Sequence, residues 1–208
     1  MARYTGPVCK KCRAVSLKLM LKGERCVGAK CGVDRRGSPP GEHTVRKRRM
    51  SERGVQLKEK QRAKYSYGIL ERQFRKVFRE ALTRPGVTGD VLVELLERRL
   101  DNVIFRLGFA SSKAEARMLI THGHITVKGK RTNIPSYRVD AGDEIAWTRQ
   151  SIDTPVYKRI IEEIDSKIIP TWLSLDKEKM IGTVVNLPQR VNVETRFDEK
   201  AIVEYYSK

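Results

Sequence analysis

Residues 100–127 read LDNVIFRLGFASSKAEARMLITHGHITV, and this stretch predicts two helices followed by a strand. In its first half the apolar residues recur at steps of three and four, which is typical of one buried helix face, and Gly108 ends that helix. Ser112 and Glu115 have the spacing of a capping box, so a second helix begins after Ser112. The alternation in Ile125–Val127 then predicts a short strand.

A small β-meander follows these helices in the prediction. Segments 137–139 and 144–147 alternate like strands, and a turn at 141–143 separates them. Prolines and glycines are too frequent in residues 1–44 for a continuous helix. Apolar spacing or helix-forming composition predicts further helices over residues 51–64, 70–82, 90–107, 152–168 and 198–206.

The chain has 208 residues and a strongly positive charge. Lysine and arginine number 43 against 25 aspartates and glutamates, which leaves a net charge of +18 at pH 7. With 39% hydrophobic residues it is too apolar for a wholly disordered protein, and it is long enough to bury a core. Because a polyanion would relieve the self-repulsion of these charges, nucleic acid is the first candidate partner and an anionic membrane surface the second.

Most of the excess charge lies in the first third of the chain. Residues 1–65 hold 19 basic against 5 acidic residues, and the densest run is Arg46–Arg49. Few acidic residues lie near this run to neutralise it. We therefore interpret it as part of a polyanion-binding surface rather than as an ordinary solvated face.

The four cysteines of the protein are Cys9, Cys12, Cys26 and Cys31. Two close pairs joined by a longer loop suit tetrahedral metal coordination, and four sulfur ligands leave no open position, so the pattern predicts a structural site. Zinc is the expected ion, and a 4Fe–4S cluster on the same residues is the alternative. Two disulfides or four free cysteines are the remaining interpretations. His43 is expected to be a loop residue rather than a ligand.

No apolar run approaches the ~18 residues that span a bilayer. The N-terminal sequence MARYTGP also lacks the apolar region of a secretion signal. We therefore expect a cytoplasmic protein in a reducing compartment, where disulfides are rare.

Several stretches of the chain closely resemble one small RNA-binding module, which is named after ribosomal protein S-four of the small subunit. They are RRLDNVIFRLGFA at 98–110, SKAEAR at 112–117, THGHITV at 121–127, NIPSYRV at 133–139 and Gly142-Asp143. The resemblance to the bacterial S-four family extends over nearly the whole chain, through MARYTGP at 1–7, RAKYSYG at 62–68, the helix around Gln73-Phe74 and EYYSK at 204–208. Many members of that family lack the four cysteines, so a bound metal would be a variant feature.

The resemblance implies an α+β fold that is mainly helical and has two lobes, with an RNA-binding module of two helices plus a β-meander. We divide the chain into a metal-binding segment with the four cysteines (1–45), a helical lobe (46–97), the module (98–160) and a C-terminal segment (161–208). The C-terminal segment is expected to pack back on the helical lobe.

The resemblance also implies a structural constituent of the small (30S) ribosomal subunit and not an enzyme. Such a protein is a primary 16S rRNA-binding protein that nucleates assembly of the 30S body. Members of the family contact S-five and other small-subunit proteins, line the mRNA entry path and influence translational accuracy, and some repress translation of their own mRNA. No membrane and no small-molecule substrate is expected as a partner.

The RNA-binding candidates are basic residues of the module and of the N-terminal part of the chain. They are Arg35, Arg36, Arg46, Lys47, Arg48, Arg49, Arg62, Arg106, Lys113, Arg117, His122, His124, Lys128, Lys130, Arg131 and Arg138. Lys113 and Arg117 are four apart and share a helix face, and Gly123 between two histidines permits close approach of a phosphate. Because duplex RNA hides its base edges, recognition would be of shape and phosphate.

Two of these candidates have structural alternatives. His122 could satisfy the last carbonyls of its helix instead of binding RNA. Arg106 could form an ion pair with Asp101 or Glu115.

Two other functions are compatible with parts of the sequence. An RNA-modifying enzyme can carry the same module, but residues 151–208 are too short for a catalytic domain and no catalytic motif stands out. A zinc-containing DNA-binding regulator would fit the cysteine spacing, but the sequence offers no evident recognition helix or dimer seam.

Overall fold

A computed structural model describes residues 3–42, 49–193 and 195–207 of the chain. The helices within this part are α1 (Cys9–Ala14), α2 (Glu24–Val27), α3 (Gly32–Arg35), α4 (Glu52–Ser66), α5 (Glu71–Thr83), α6 (Thr88–Glu97), α7 (Leu100–Arg106), α8 (Lys113–Thr121), α9 (Pro155–Glu163) and α10 (Glu199–Ser207). The strands are β1 (Ile125–Val127), β2 (Lys130–Arg131), β3 (Glu144–Trp147), β4 (Leu173–Asp176) and β5 (Ile181–Val184). Among the described residues, no helix combines the length and the apolar character that crossing a membrane requires.

The chain divides into two units. The first consists of Met1–Val93 together with Thr195–Lys208, and the second is Glu94–Glu194. The predicted C-terminal segment 161–208 is therefore split, because β4 and β5 belong to the second unit and only the end of the chain belongs with the helical lobe. Its final helix was predicted, but the strands β4 and β5 were not.

In the first unit, α10 packs against α4. The side-chain amide of Gln56 on α4 donates to the Glu204 carboxylate on α10 at 2.9 Å. The Tyr206 ring lies with its centroid 4.5 Å from that of Phe78, on the buried face of α5. Ser51 caps α4 as its sequence position predicts, and its hydroxyl accepts from the Gly54 amide at 3.2 Å.

The second unit is built on a five-stranded antiparallel sheet in the order β2-β1-β3-β5-β4. Its register pairs Ile125 with Trp147 and Ile145 with Gly182. A side chain at Gly182 would overlap Leu107, so glycine there allows α7 to approach the sheet closely. The apolar residues of α7, α8, α9 and the sheet form one buried core.

The predicted helix over 90–107 is two helices in the structure, α6 and α7, and the predicted strand at 137–139 is absent. Both differences have the same cause. The main chain at the break between the helices pairs with that segment: the Leu100 amide donates to the Tyr137 carbonyl at 2.8 Å, and the Val139 amide donates to the Arg98 carbonyl at 3.0 Å. These bonds replace the helical ones, and a single bridge between Arg99 and Arg138 stands in place of the strand.

Candidate nucleic-acid interface and cysteine site

The helix pair α7–α8 begins as the sequence predicts. The Ser112 hydroxyl accepts from the Glu115 amide at 3.2 Å and caps α8. The Glu115 carboxylate reaches one residue further back than in a standard capping box, because it accepts from the amide and hydroxyl of Ser111 at 2.8 and 2.6 Å. The start of α8 is thus fixed by three hydrogen bonds.

Arg117 on α8, one of the RNA-binding candidates, has an internal partner on α7. Its Nε donates to the Asp101 carboxylate at 2.7 Å, and Arg99 donates to the same carboxylate at 2.9 Å. The Asp101 side chain is only 2% exposed. A buried carboxylate needs such partners, since an unpaired one is strongly destabilising. In this structure, therefore, Arg117 joins the two helices.

Arg106 also has an internal partner, as the structural alternative anticipated, but the partner is Glu97 rather than Asp101 or Glu115. Its Nε and Nη2 donate to the two carboxylate oxygens at 3.1 and 3.0 Å. The Asn102 side chain donates to Glu97 as well, at 2.7 Å. Because the Glu97 side chain is completely buried, this pair stabilises the junction between α6 and α7.

Lys113 is half-buried in the same region, on the face of α8 that it shares with Arg117. Its ammonium lies 5.7 Å from the centre of the Phe105 ring. Burial lowers the pKa of this ammonium to about 7, although the carboxylate of Glu97 acts in the opposite direction. A lysine in this state is poorly placed as a permanent phosphate-binding cation.

In the turn after α8, the side chain of Arg131 lies against the main chain. Arg131 donates from Nε to the Gly123 carbonyl at 3.0 Å and from Nη2 to the His122 carbonyl at 3.1 Å. Gly123 adopts a φ of +75°, and a Cβ there would overlap the guanidinium. Glycine at this position therefore leaves room for the Arg131 guanidinium.

The two histidines beside this turn differ in environment. His122 is the C-cap residue of α8, and its side chain is exposed. His124 is half-buried, with Nδ1 2.7 Å from the Ser151 hydroxyl. Burial lowers the pKa of His124, and the neighbouring His122 and Arg131 act in the same direction. His124 is therefore held neutral near pH 7, which suits hydrogen bonding better than charge pairing.

The hairpin between β1 and β2 presents the most open cations of the module. Lys128 and Gly129 both have positive φ, 52° and 72°, as a tight hairpin turn requires. The Lys128 ammonium lies 2.7 Å from the buried Asp143 carboxylate. Lys130 is exposed and has no side-chain partner among the described residues. Lys130 is thus the predicted cation of the module that the structure leaves most available.

The remaining candidates are spread over both units. Arg62 pairs with Glu59 on α4, and Arg138 is half-buried beside its bridge to Arg99. Three candidates in the first unit are exposed: Arg35, Arg36 and Arg49. Four residues considered above lie outside the described part of the chain: His43, Arg46, Lys47 and Arg48.

A basic face on α5 was not among the predicted sites. Arg72, Arg75, Lys76 and Arg79, which we call the α5 stripe, are exposed on the side opposite the buried Phe74. Their helical spacing in the sequence indicates a shared face, but it does not indicate a binding surface. Whether each cation is available to bind a ligand depends on its partners elsewhere in the fold, and the sequence does not show them.

The four cysteines, which we call the cysteine site, surround one small cavity. Cys12, Cys26 and Cys31 are buried, Cys9 is half-buried, and all four are free thiols rather than disulfides. The main-chain amide of Lys22 donates to the Cys26 sulfur at 3.3 Å. Burial raises the pKa of the Cys12 thiol, a hydrogen bond from the Leu19 amide opposes this, and the other three cysteines raise it further. The thiols thus share one electrostatic environment.

The donor set fits a tetrahedral thiophilic ion, because four sulfurs and an N–H···S bond from the main chain meet at one cavity. Over the described ranges, however, no three His, Cys, Asp or Glu side chains stand close enough together to form a finished metal site. The sulfurs are gathered but are not in coordinating positions. Binding an ion would therefore require the sulfurs to move into coordinating positions.

Comparisons with known proteins cover the whole chain. A family model described as the Ribosomal protein S4/S9 N-terminal domain matches residues 3–97, and one described as the S4 domain matches residues 98–145. The chain is 51% identical to the small ribosomal subunit protein uS4 of Heliobacterium modesticaldum, 50% to that of Dehalococcoides mccartyi and 48% to that of Desulforamulus reducens. Each alignment covers 100% of both proteins.

Proposed function

Because this chain belongs to the uS4 family of small ribosomal subunit proteins, we propose that it is a structural component of that subunit and binds its rRNA. The observation that carries this proposal is the full-length identity of about half of all residues with uS4 proteins, which includes the S4 domain. The role is structural rather than enzymatic. The net charge of +18 supports it, since rRNA is the polyanion of the subunit.

Within the module, we propose that the β1–β2 hairpin makes the phosphate contacts. Lys130 is exposed there without an internal partner in the described part of the chain, and His122 is exposed nearby in sequence. Arg106 and Arg117 support this surface from within by holding α6, α7 and α8 together. An exposed cation on the hairpin, together with arginines that hold the helices in place, suits recognition of RNA by shape and backbone rather than by base edges.

More specific roles follow from the family resemblance. We propose that the chain is a primary binding protein of 16S rRNA that nucleates the 30S body, contacts S-five and other subunit proteins, lies near the mRNA entry path and influences translational accuracy. Repression of its own mRNA is a further proposal. The concentration of basic charge in residues 1–65 supports a second RNA-facing region besides the module.

The test of rRNA binding is filter binding of the full chain to small-subunit rRNA, duplex DNA and tRNA across a salt series. Selective rRNA binding is expected, with affinity falling by ~10³–10⁵ between ~50 and ~200 mM salt if six to ten phosphates are contacted. Equal affinity for all three nucleic acids would overturn the proposal. Lys130→Ala should weaken binding, whereas Lys158→Ala, which removes an exposed cation of α9, should not.

We also propose that the cysteine site binds a structural zinc ion, with a 4Fe–4S cluster as the alternative. Cys9, Cys12, Cys26 and Cys31 would hold the group as thiolates, and it would supply folding energy to α1–α3. Support comes from the shared cavity and from the small apolar cluster beside it, in which Cys12 packs with Val15 and Leu19. A cluster that small is a weak core for this segment.

Metal analysis of protein purified under reducing conditions tests the cysteine site. About one zinc per chain is expected, and visible absorption with bound iron and sulfide would indicate the cluster instead. Cys26→Ser should release the ion and lower the thermal midpoint of the first unit, whereas rRNA binding by the module should persist. Less than ~0.2 metal per chain would overturn the proposal, because structural sites are normally fully occupied.

A further inference from the structure

The α5 stripe forms a continuous basic face on a helix of 13 residues. Arg72, Arg75, Lys76 and Arg79 follow one another at steps of three, one and three, so they lie on one side of α5 over two turns, about 10 Å along the axis. The opposite side is fixed in the core of the first unit, where Phe74 and Ala81 are fully buried. The orientation of the stripe towards solvent is thus imposed by the apolar face.

The two carboxylates next to the stripe have other partners. Glu71 accepts from Lys60 at 2.8 Å, from Lys64 at 2.9 Å and from the Tyr206 hydroxyl at 3.0 Å, whereas Arg75 is 3.8 Å away. Glu80 accepts from Arg84 at 2.9 Å. The negative charge at both positions is therefore largely balanced without the stripe.

The cations of the stripe are correspondingly available. Among the residues that the structure describes, Arg72, Lys76 and Arg79 have no carboxylate partner. This contrasts with Arg106 and Arg117 of the module, whose guanidinium groups are held by buried carboxylates. Three unpaired cations on one rigid helix face repel each other, and an anionic ligand removes that cost.

We propose that the α5 stripe is a further binding surface for the rRNA sugar–phosphate backbone, besides the module and the basic residues 1–65. This inference rests on the proposed function, and it assigns a part of the rRNA contact to the first unit. Guanidinium groups bind phosphate oxygens in a bidentate manner, and the steps of three residues separate Arg72 from Arg75 and Lys76 from Arg79 by about 4.5 Å along the helix axis. The side chains of the stripe, together with Glu71 and Gln73, border an open space of about 900 Å³.

The composition of the stripe favours nucleic acid over an acidic protein as the partner. Protein interfaces have a core that is depleted of charge and enriched in apolar and aromatic residues. Between Arg72 and Arg79 the exposed side chains are all charged or polar. The absence of an exposed aromatic side chain on this stretch of α5 also indicates backbone contacts rather than base stacking.

The test compares two triple variants of the full chain that remove the same charge. The first is Arg72→Ala, Lys76→Ala and Arg79→Ala. The control is Lys158→Ala, Lys177→Ala and Lys179→Ala, which removes three exposed cations of the second unit. Binding of each to small-subunit rRNA is measured from ~50 to ~200 mM salt, and thermal unfolding verifies that both remain folded.

We expect the stripe variant to bind less tightly than the wild-type chain, with a salt slope reduced by about 2 to 3, since each lost phosphate contact removes about 0.9. The control should keep the slope of the wild-type chain. Equal slopes for the two variants would overturn the inference while leaving the proposed function intact. So would normal rRNA binding by a stripe variant that fails to enter subunits, because that result points to a protein partner. A wild-type chain that does not select rRNA would instead overturn the proposed function itself.

Discussion

The guanidinium of Arg131 lies directly over Gly123 and donates to its carbonyl at 3.0 Å. Replacing Gly123 by alanine would force the guanidinium away and would strain the backbone, since φ is +75°. We expect Gly123→Ala to lower the free energy of unfolding by about 1–3 kcal/mol, combining a left-handed alanine with the loss of hydrogen bonds. Urea-induced unfolding measures this.

Gly129→Ala is the matched control for this substitution. Gly129 has a similar φ of +72°, but a Cβ there meets no atom within 4 Å, so its cost is that of the backbone alone. In proteins that also carry Arg131→Ala, Gly123→Ala should lower the free energy of unfolding no more than Gly129→Ala does. If the excess persists in that background, the contact between Arg131 and Gly123 does not explain it.

Arg117 should matter for stability more than for RNA binding. Its ion pair with the buried Asp101 connects α8 to α7, and Arg117→Ala would leave the carboxylate with Arg99 as its remaining charged partner here. We expect a loss of about 2–4 kcal/mol in unfolding free energy. Charge reversal to glutamate should be worse, because it would place a second carboxylate beside the buried one.

The control for Arg117 is Arg149→Ala, which removes an exposed arginine of the same unit. It should change stability by less than ~0.5 kcal/mol. If Arg117→Ala unfolds like the control but binds rRNA much more weakly, Arg117 is an RNA contact after all.

The local features of the module were predictable because they depend on neighbours in the sequence. The cap at Ser112, the start of α8 and the strands β1 and β3 all follow from spacing within a few residues. The break between α6 and α7 does not, because its hydrogen-bond partners lie about 40 residues away. Helical spacing alone therefore merged the two helices.

The role of each cation was less predictable than its presence. Arg106 and Lys130 look equally suited to phosphate in the sequence, but Arg106 lies against a buried carboxylate nine residues away, and Lys130 extends from a hairpin. Only the packing of separate elements decides between an ion pair inside the protein and a free cation on its surface. The availability of the α5 stripe likewise depends on contacts between elements that are distant in the sequence.

Glu71 should make the stability of the first unit sensitive to acid. Burial would raise the pKa of its carboxyl, but the hydrogen bonds from Lys60 and Lys64 outweigh burial and lower the pKa to about 2. Because the folded-state pKa lies below the unfolded value of about 4.5, stability is present above that pH and is lost as the pH falls towards 2.

Glu71→Gln tests this linkage. At pH 7 it should lower the free energy of unfolding by about 1–2 kcal/mol. The effect is this modest because the side chain is 35% exposed and water screens its ion pairs. The difference from the wild-type chain should shrink between about pH 4.5 and pH 2. A difference that is constant over this range in urea titrations would mean that the carboxylate charge is not responsible.

Lys113 gives the opposite pH dependence, and its test decides whether it is a structural or an RNA-binding residue. Burial lowers the pKa of its ammonium to about 7 from the ordinary 10.5, so the charged form is disfavoured in the folded state. Between these values the unfolded chain binds more protons, and this residue's contribution to stability rises with pH.

Lys113→Met keeps the apolar stem over Phe105 and removes the charge. We expect the variant to be more stable than the wild-type chain by at least ~1 kcal/mol at about pH 6, with a smaller gain at about pH 9, and to keep the salt slope of rRNA binding. A reduced slope would show that Lys113 contacts phosphate as a charged ammonium. If the variant also showed no gain in stability, burial of this charge would not be destabilising.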